Sequence, residues 1–167
     1  MVRYQTNVVR HQAAIRGGPI SKSTVTTKIR KPADDVWARI RDYADLTWQP
    51  GVATCVVKGR VRTVTMHGMD MEVDEEEVLY DAAGRISAYS VIAMRGQTAF
   101  ELPDGTVLDL STMAGHHRAS ITVTPTGEST SLVTYVLELD DGFDHTLQAS
   151  TGQYQYVIDS LRDELES

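Results

Sequence analysis

A single long amphipathic helix, closing a chain otherwise built of strands, limits what this sequence can fold into. Between residues 143 and 165 the apolar side chains Phe143, Leu147, Tyr154, Ile158, Leu161 and Leu165 recur at steps of three, four or seven. That spacing lines one face of an α-helix. Asp140 and Asp141 stand where a helix start is capped, so they are expected to cap it. One helix cannot bury its own stripe, so a sheet has to receive it.

The rest of the chain supplies that sheet. Residues 23–30 are rich in β-branched side chains and read as a first strand. Pro32 is expected in the first turn of a helix carrying Val36, Trp37, Ile40 and Tyr43, and Asp45 is expected to cap a second short helix ending at Pro50-Gly51. Strands are then expected over 52–58, 60–67, 69–80, 85–94, 116–124 and 131–139. Gly59, Asp81-Ala82-Ala83-Gly84 and Pro125-Thr126-Gly127 join successive pairs, and such short links make antiparallel neighbours. Residues 95–115 are too long for a minimal link. Pro103-Asp104-Gly105 predicts a hairpin inside them, and Phe100, Leu102, Leu108 and Leu110 are too apolar for a free loop. The fold class is therefore α+β, with six to seven antiparallel strands wrapped around the final helix and two short helices after the first strand.

Charge and cysteine content narrow the function. Lys and Arg number 16 against 23 Asp and Glu, a formal net charge of −7. That balance repels phosphate backbones and disfavours nucleic-acid binding. No apolar run approaches the length of a membrane span. Cys55 is the one cysteine and sits in an apolar run, so it reads as a small core residue. The first twenty residues lack the apolar segment of a secretory signal, and a cytoplasmic location is expected. Gly17-Gly18-Pro19 predicts a boundary between an extension, residues 1–20, and a domain over 21–167.

Several segments resemble the START-like (SRPBCC) superfamily, and within it the polyketide cyclase/dehydrase-like group. They are Pro32-Ala33, Val36-Trp37, Ile40 and Asp42-Tyr43, then Leu46-Thr47-Trp48-Gln49-Pro50. Val61-Arg62 follows a glycine turn, and Glu75, Val78, Tyr80-Asp81, Tyr89-Ser90 and the helix Tyr154, Leu161, Leu165 complete the pattern. The resemblance covers residues 23–165. It implies a helix-grip fold and a cavity between sheet and helix that holds a small, largely apolar molecule. It also implies either a cyclase or dehydratase, working on a polyketide-like or other small carbonyl substrate, or a non-catalytic carrier of a hydrophobic ligand. No cofactor is expected. The N-terminal extension and residues 95–115 depart from the pattern. They are the segments where a homodimer contact or the rim of the cavity is expected.

Strand parity picks out the polar groups that face inward, because successive side chains point to opposite faces. Arg62 shares a face with Val64 and Met66, Glu75 with Met71 and Val73, and Tyr89 with Val91. His117 falls with Ala119, Ile121 and Val123, and Tyr135 with Val133 and Leu137. Tyr154 joins them from the helix and Trp48 is expected near the mouth. An apolar cavity with a few convergent polar groups is the usual form of a small-molecule site. His117, Arg62 and Tyr89 are the catalytic candidates: the histidine moves a proton beside a carbonyl, and Arg62 or a tyrosine holds the enolate oxygen. Glu75, Tyr135, Tyr154, Trp48, Met66 and Met71 are the binding candidates. The plainer reading is an Arg62–Glu75 pair that neutralises itself and tyrosines that are satisfied core rings. No metal site is expected: His116 and His117 face opposite ways, and His67 belongs to the surface.

Overall fold

The computed structural model describes residues 11–12 and 19–167. The expected extension, residues 1–20, and any homodimer contact made by it fall largely outside the described residues. The elements run β1 (His11–Gln12), β2 (Pro19–Ile29), α1 (Ala33–Ile40), β3 (Val52–Lys58), β4 (Val61–Met66), β5 (Met71–Asp81) and β6 (Ile86–Gly96). They continue with β7 (Ala99–Glu101), β8 (Val107–Asp109), a 3-10 turn (Leu110–Met113), β9 (His117–Gly127), β10 (Thr130–Asp140) and α2 (Asp144–Glu166).

Seven long strands form one antiparallel sheet in the order β2-β10-β9-β6-β5-β4-β3, and the two-residue β1 pairs with the start of β2. The sheet, α2 and α1 make the helix-grip architecture. Parity holds along the inner face: Arg62 and Val64, Met71 and Val73, Tyr89 and Val91, and His117, Ala119, Ile121 and Val123 are all buried. So are Val133, Tyr135, Leu137 and Leu139. Two register shifts interrupt the β5–β6 ladder, between Asp74 and Glu75 and between Glu77 and Leu79. Bulges of this kind bend a strand and help the sheet curl around a helix.

Helix α1 forms where Val36, Trp37 and Ile40 bury one side, and its first turn carries Asp34 and Asp35 against the positive helix end. Pro32 occupies the N-cap position, one residue before the first turn. The expected second short helix is absent. Residues 45–48 run from irregular chain into a turn, because Asp45 Oδ1 accepts from the Thr47 backbone N–H at 2.9 Å and from its hydroxyl at 2.5 Å. An aspartate side chain bonded two residues ahead closes a turn instead of extending a helix.

Helix α2 starts at Asp144 with Phe143 as its N-cap and no side-chain cap. The expected capping by Asp140 and Asp141 is not made; Asp140 belongs to β10 and takes His116 Nδ1 at 2.7 Å. Polar bonds fasten α2 to β2 instead. Ser21 Oγ donates to Asp144 Oδ1 at 3.1 Å, Ser23 Oγ meets Thr151 Oγ1 at 2.7 Å, and Thr27 Oγ1 donates to Asp159 Oδ1 at 2.8 Å. Residues 95–115 form the β7–β8 hairpin around Pro103-Asp104-Gly105 and then the 3-10 turn. Met113 is buried there with Leu137, Leu139 and Leu147, and Leu110 packs on the same cluster.

Candidate functional site

Along the middle of α2 the apolar stripe lapses. Leu147 and Val157 are buried, but Ser150, Thr151 and Gly152 lie between them. Small polar side chains cannot fill the space between a helix and a sheet at close-packed density. A cavity of about 160 Å³ remains. Its wall is Val64 and Met66 of β4, Val52 of β3, Val73 and Glu75 of β5, and Tyr89 of β6. Ser150, Gln153, Tyr154 and Val157 of α2 close it from above, and Leu46, Gln49 and Pro50 border it from the loop after α1. Gly51 ends that loop at a φ of 97°, where a side chain would be strained.

Two polar groups meet at this wall. In the first, Arg62 Nε donates to Glu75 Oε2 at 2.6 Å, and both side chains are nearly buried. Arg62 Nη1 donates to the Tyr43 carbonyl at 3.1 Å, and its guanidinium lies 4.2 Å from the Tyr43 ring centroid and 4.9 Å from that of Tyr89. Tyr43 in turn donates its hydroxyl to the Glu75 carbonyl at 2.8 Å. Burial pushes the Glu75 carboxyl up and Arg62 opposes it, so the shift upward survives the ion pair. Burial would lower Arg62, but Glu75, Tyr89 and Tyr43 together outweigh it and hold the guanidinium charged.

The second group is a string of hydroxyls. Tyr135 and Tyr89 oxygens lie 2.9 Å apart, Tyr89 and Tyr154 3.3 Å, and the Tyr154 hydroxyl is 3.0 Å from His117 Nε2. Burial raises all three phenols. It lowers His117 to about 4, so the imidazole is neutral at pH 7. Its Nδ1 is buried without a partner.

Of the residues singled out from sequence, Glu75, Tyr89, Tyr154 and Met66 are on the cavity wall. Arg62, His117 and Tyr135 are not on the wall but bond to residues that are, Glu75, Tyr154 and Tyr89 respectively. Their positions on the inner face are as parity placed them. Met71 is buried core. Trp48 is buried rather than at the mouth; its neighbours Leu46, Gln49 and Pro50 border the cavity, and its Nε1 has no partner. Residues 95–115 contribute nothing to the wall; Met113 is buried in the smaller cluster, and Leu110 packs against both clusters. His116 is exposed, opposite to His117, and no group of three metal-ligating side chains gathers among the described residues. No described helix is long and apolar enough to cross a membrane. Sequence reasoning missed Tyr43 as the ring beneath Arg62, and it missed Ser150, Gln153 and Val157. Ser150 and Val157 sit four before and three after Tyr154, the helical neighbours of a residue already chosen, whereas Gln153, one before it, has no such signal.

Solved structures with this fold are numerous. An uncharacterised protein from Bacillus thuringiensis superposes with a TM-score of 0.68 at 18% identity, covering 87% of this chain and 99% of its own. A START superfamily protein from Mycobacterium smegmatis gives 0.64 at 11% identity, covering 87% and 97%. Norcoclaurine synthase from Thalictrum flavum, in complex with dopamine and hydroxybenzaldehyde, gives 0.60 at 16% identity, covering 87% and 86%. At these identities the likeness concerns the fold. No curated protein sequence matches. The family model described as polyketide cyclase / dehydrase and lipid transport matches residues 21–166, nearly the whole described domain. The chain belongs to that family and has its hydrophobic ligand-binding fold, the fold also seen in the START superfamily protein.

Proposed function

We propose that the protein is a cyclase- or dehydratase-type enzyme acting on a small, largely apolar carbonyl compound held between the sheet and α2. One observation carries this reading. Glu75, with Oε2 held by Arg62, is on the same wall as Tyr89 and Tyr154, in a cavity whose remaining lining is apolar apart from Gln49, Ser150 and Gln153. A carboxylate raised by burial is a stronger base than one in water. Glu75 takes a proton from the carbon beside the carbonyl, and the tyrosine oxygens accept from a hydroxyl of the substrate and so hold it in position. The carboxyl then returns the proton. In dehydration it goes to the departing hydroxyl, which leaves as water. In cyclisation it goes to the oxygen of the carbonyl that has just accepted the new carbon–carbon bond.

A carrier without chemistry is the second reading. It is favoured by the closed bonding of the string, in which every tyrosine hydroxyl already has a partner. Deuterium uptake beside the carbonyl of a β-hydroxy ketone, followed by NMR in heavy water, separates the two. The enzyme reading expects exchange well above buffer, and a fall of roughly 10²–10⁴-fold in Glu75→Gln. Binding of the ketone with exchange no faster than buffer gives the carrier.

A further inference from the structure

A string of hydroxyls has a direction, because each phenol has one proton to give. A neutral His117 carries a hydrogen on one ring nitrogen only. With Nε2 bare, Tyr154 donates to His117, Tyr89 to Tyr154, and Tyr135 to Tyr89. Every hydroxyl proton is then used, and the buried Nδ1–H alone lacks a partner. With the hydrogen on Nε2 the order reverses. Tyr135 is left with a proton and no acceptor among the described residues, and the Nδ1 lone pair is unmatched as well. The first arrangement leaves one buried polar group unpaired and the second leaves two, so the first is favoured.

In either direction the protons of Tyr89 and Tyr154 stay inside the string. These side chains therefore turn oxygen lone pairs, not hydrogens, toward the cavity. Glu75 adds to the same character, because its Oε1 accepts no bond from any described residue. The wall has no lysine, arginine or histidine to meet an anion. Its volume of about 160 Å³ is that of a one-ring guest; an engineered apolar cavity of about 150 Å³ takes benzene. We infer that the cavity takes an uncharged one-ring hydroxyl compound, a phenol or cyclic enol whose one O–H proton goes to Tyr154, with Glu75 the neighbouring acceptor, and that His117 sets this preference by holding the Tyr154 proton. His117 is then a positioning residue, and the group read at the buried end is a hydroxyl rather than a bare carbonyl. The inference rests on the cavity proposed above as the ligand site.

The test uses the full chain with methyl-labelled methionine, titrated with p-cresol, 4-methylanisole, p-toluate and 2-naphthol, and read at the Met66 methyl on the cavity wall. Expected is saturable binding of p-cresol, with 4-methylanisole, which has no proton to donate, weaker by about tenfold. The anionic p-toluate and the two-ring 2-naphthol should be weaker still. In His117→Leu the Tyr154 proton is free to turn into the cavity, and the preference for cresol over methylanisole should fall about tenfold or reverse. A merely structural histidine would weaken both ligands together. Equal binding of methylanisole or toluate to the wild type overturns the inference without any variant, and so does a His117→Leu chain that folds and keeps the wild-type ratio. Cresol bound at Met66 with no deuterium exchange into the ketone would remove the enzymatic reading and leave this one standing. Ligands that never perturb the Met66 methyl would remove both.

Discussion

His117 illustrates how one buried side chain couples the candidate site to the stability of the fold. It is 4% exposed, one ring nitrogen meets Tyr154 and the other has no partner. Burial holds its pKa at about 4, against the ordinary 6.5 that it regains on unfolding. Between those values the unfolded chain binds more protons than the folded one, so stability rises with pH and is lost as pH falls. From pH 7 to pH 5 the loss assigned to this residue is about 2 kcal/mol. Glu75 works in the opposite sense, because its carboxyl is raised and the folded state holds its proton longer. The comparison that isolates the histidine is urea unfolding of wild type and His117→Phe at pH 7 and pH 5. Phe should lose less stability than wild type on acidification, by that amount. Parallel losses would mean that His117 is solvated enough to titrate normally.

Among the elements, α1 and α2 hold the curled sheet in different ways. Trp37 of α1 is 5% exposed, stacks on Tyr80 at 5.8 Å between centroids and joins the main core cluster. Trp37→Ala should cost about 3–5 kcal/mol, seen as a lower denaturant midpoint at an unchanged slope. A midpoint that did not move would show the ring to be dispensable packing. Helix α2 is also fastened to β2 through serine, threonine and aspartate bonds, and between Leu147 and Tyr154 it brings no large apolar side chain to the sheet. The periodicity of residues 143–165 made the helix itself legible, and alternation placed Arg62, Tyr89, His117 and Tyr135 on the inner face. The cavity was not legible in that way, because it is marked by what the stripe lacks, Ser150-Thr151-Gly152, rather than by any residue it contains. Depth was hidden as well. Parity tells which face a side chain leaves from, but not that Tyr154 and Tyr89 line the cavity while His117 does not. The turn at residues 45–48 defeated a helix reading because Asp45 bonds locally to Thr47, a competition that composition alone does not resolve.

For the molecule as a whole, the cavity is stability left unused. A close-packed interior would fill about 160 Å³ with side-chain atoms, and the surrounding core at Ile158, Leu161, Val123 and Val133 is almost wholly buried. Folding could gain from apolar atoms placed there, yet the helix presents Ser150, which makes no hydrogen bond to any described residue across the gap. Such an unfilled region fits a protein whose ligand completes its core, since binding to the folded state alone stabilises it by mass action. Ser150→Leu separates packing from function. The new side chain points from α2 into the cavity, so the denaturant midpoint should rise, equivalent to about 1 kcal/mol. The same atoms occupy the ligand's place, so p-cresol should bind at least about tenfold more weakly, and the extra stability that saturating cresol gives to wild type should disappear. A variant that is more stable and still binds cresol as wild type does would place the ligand elsewhere in the molecule. One that is less stable would mean that the gap is too polar or too open to receive a leucine, and that water rather than a ligand is its normal occupant.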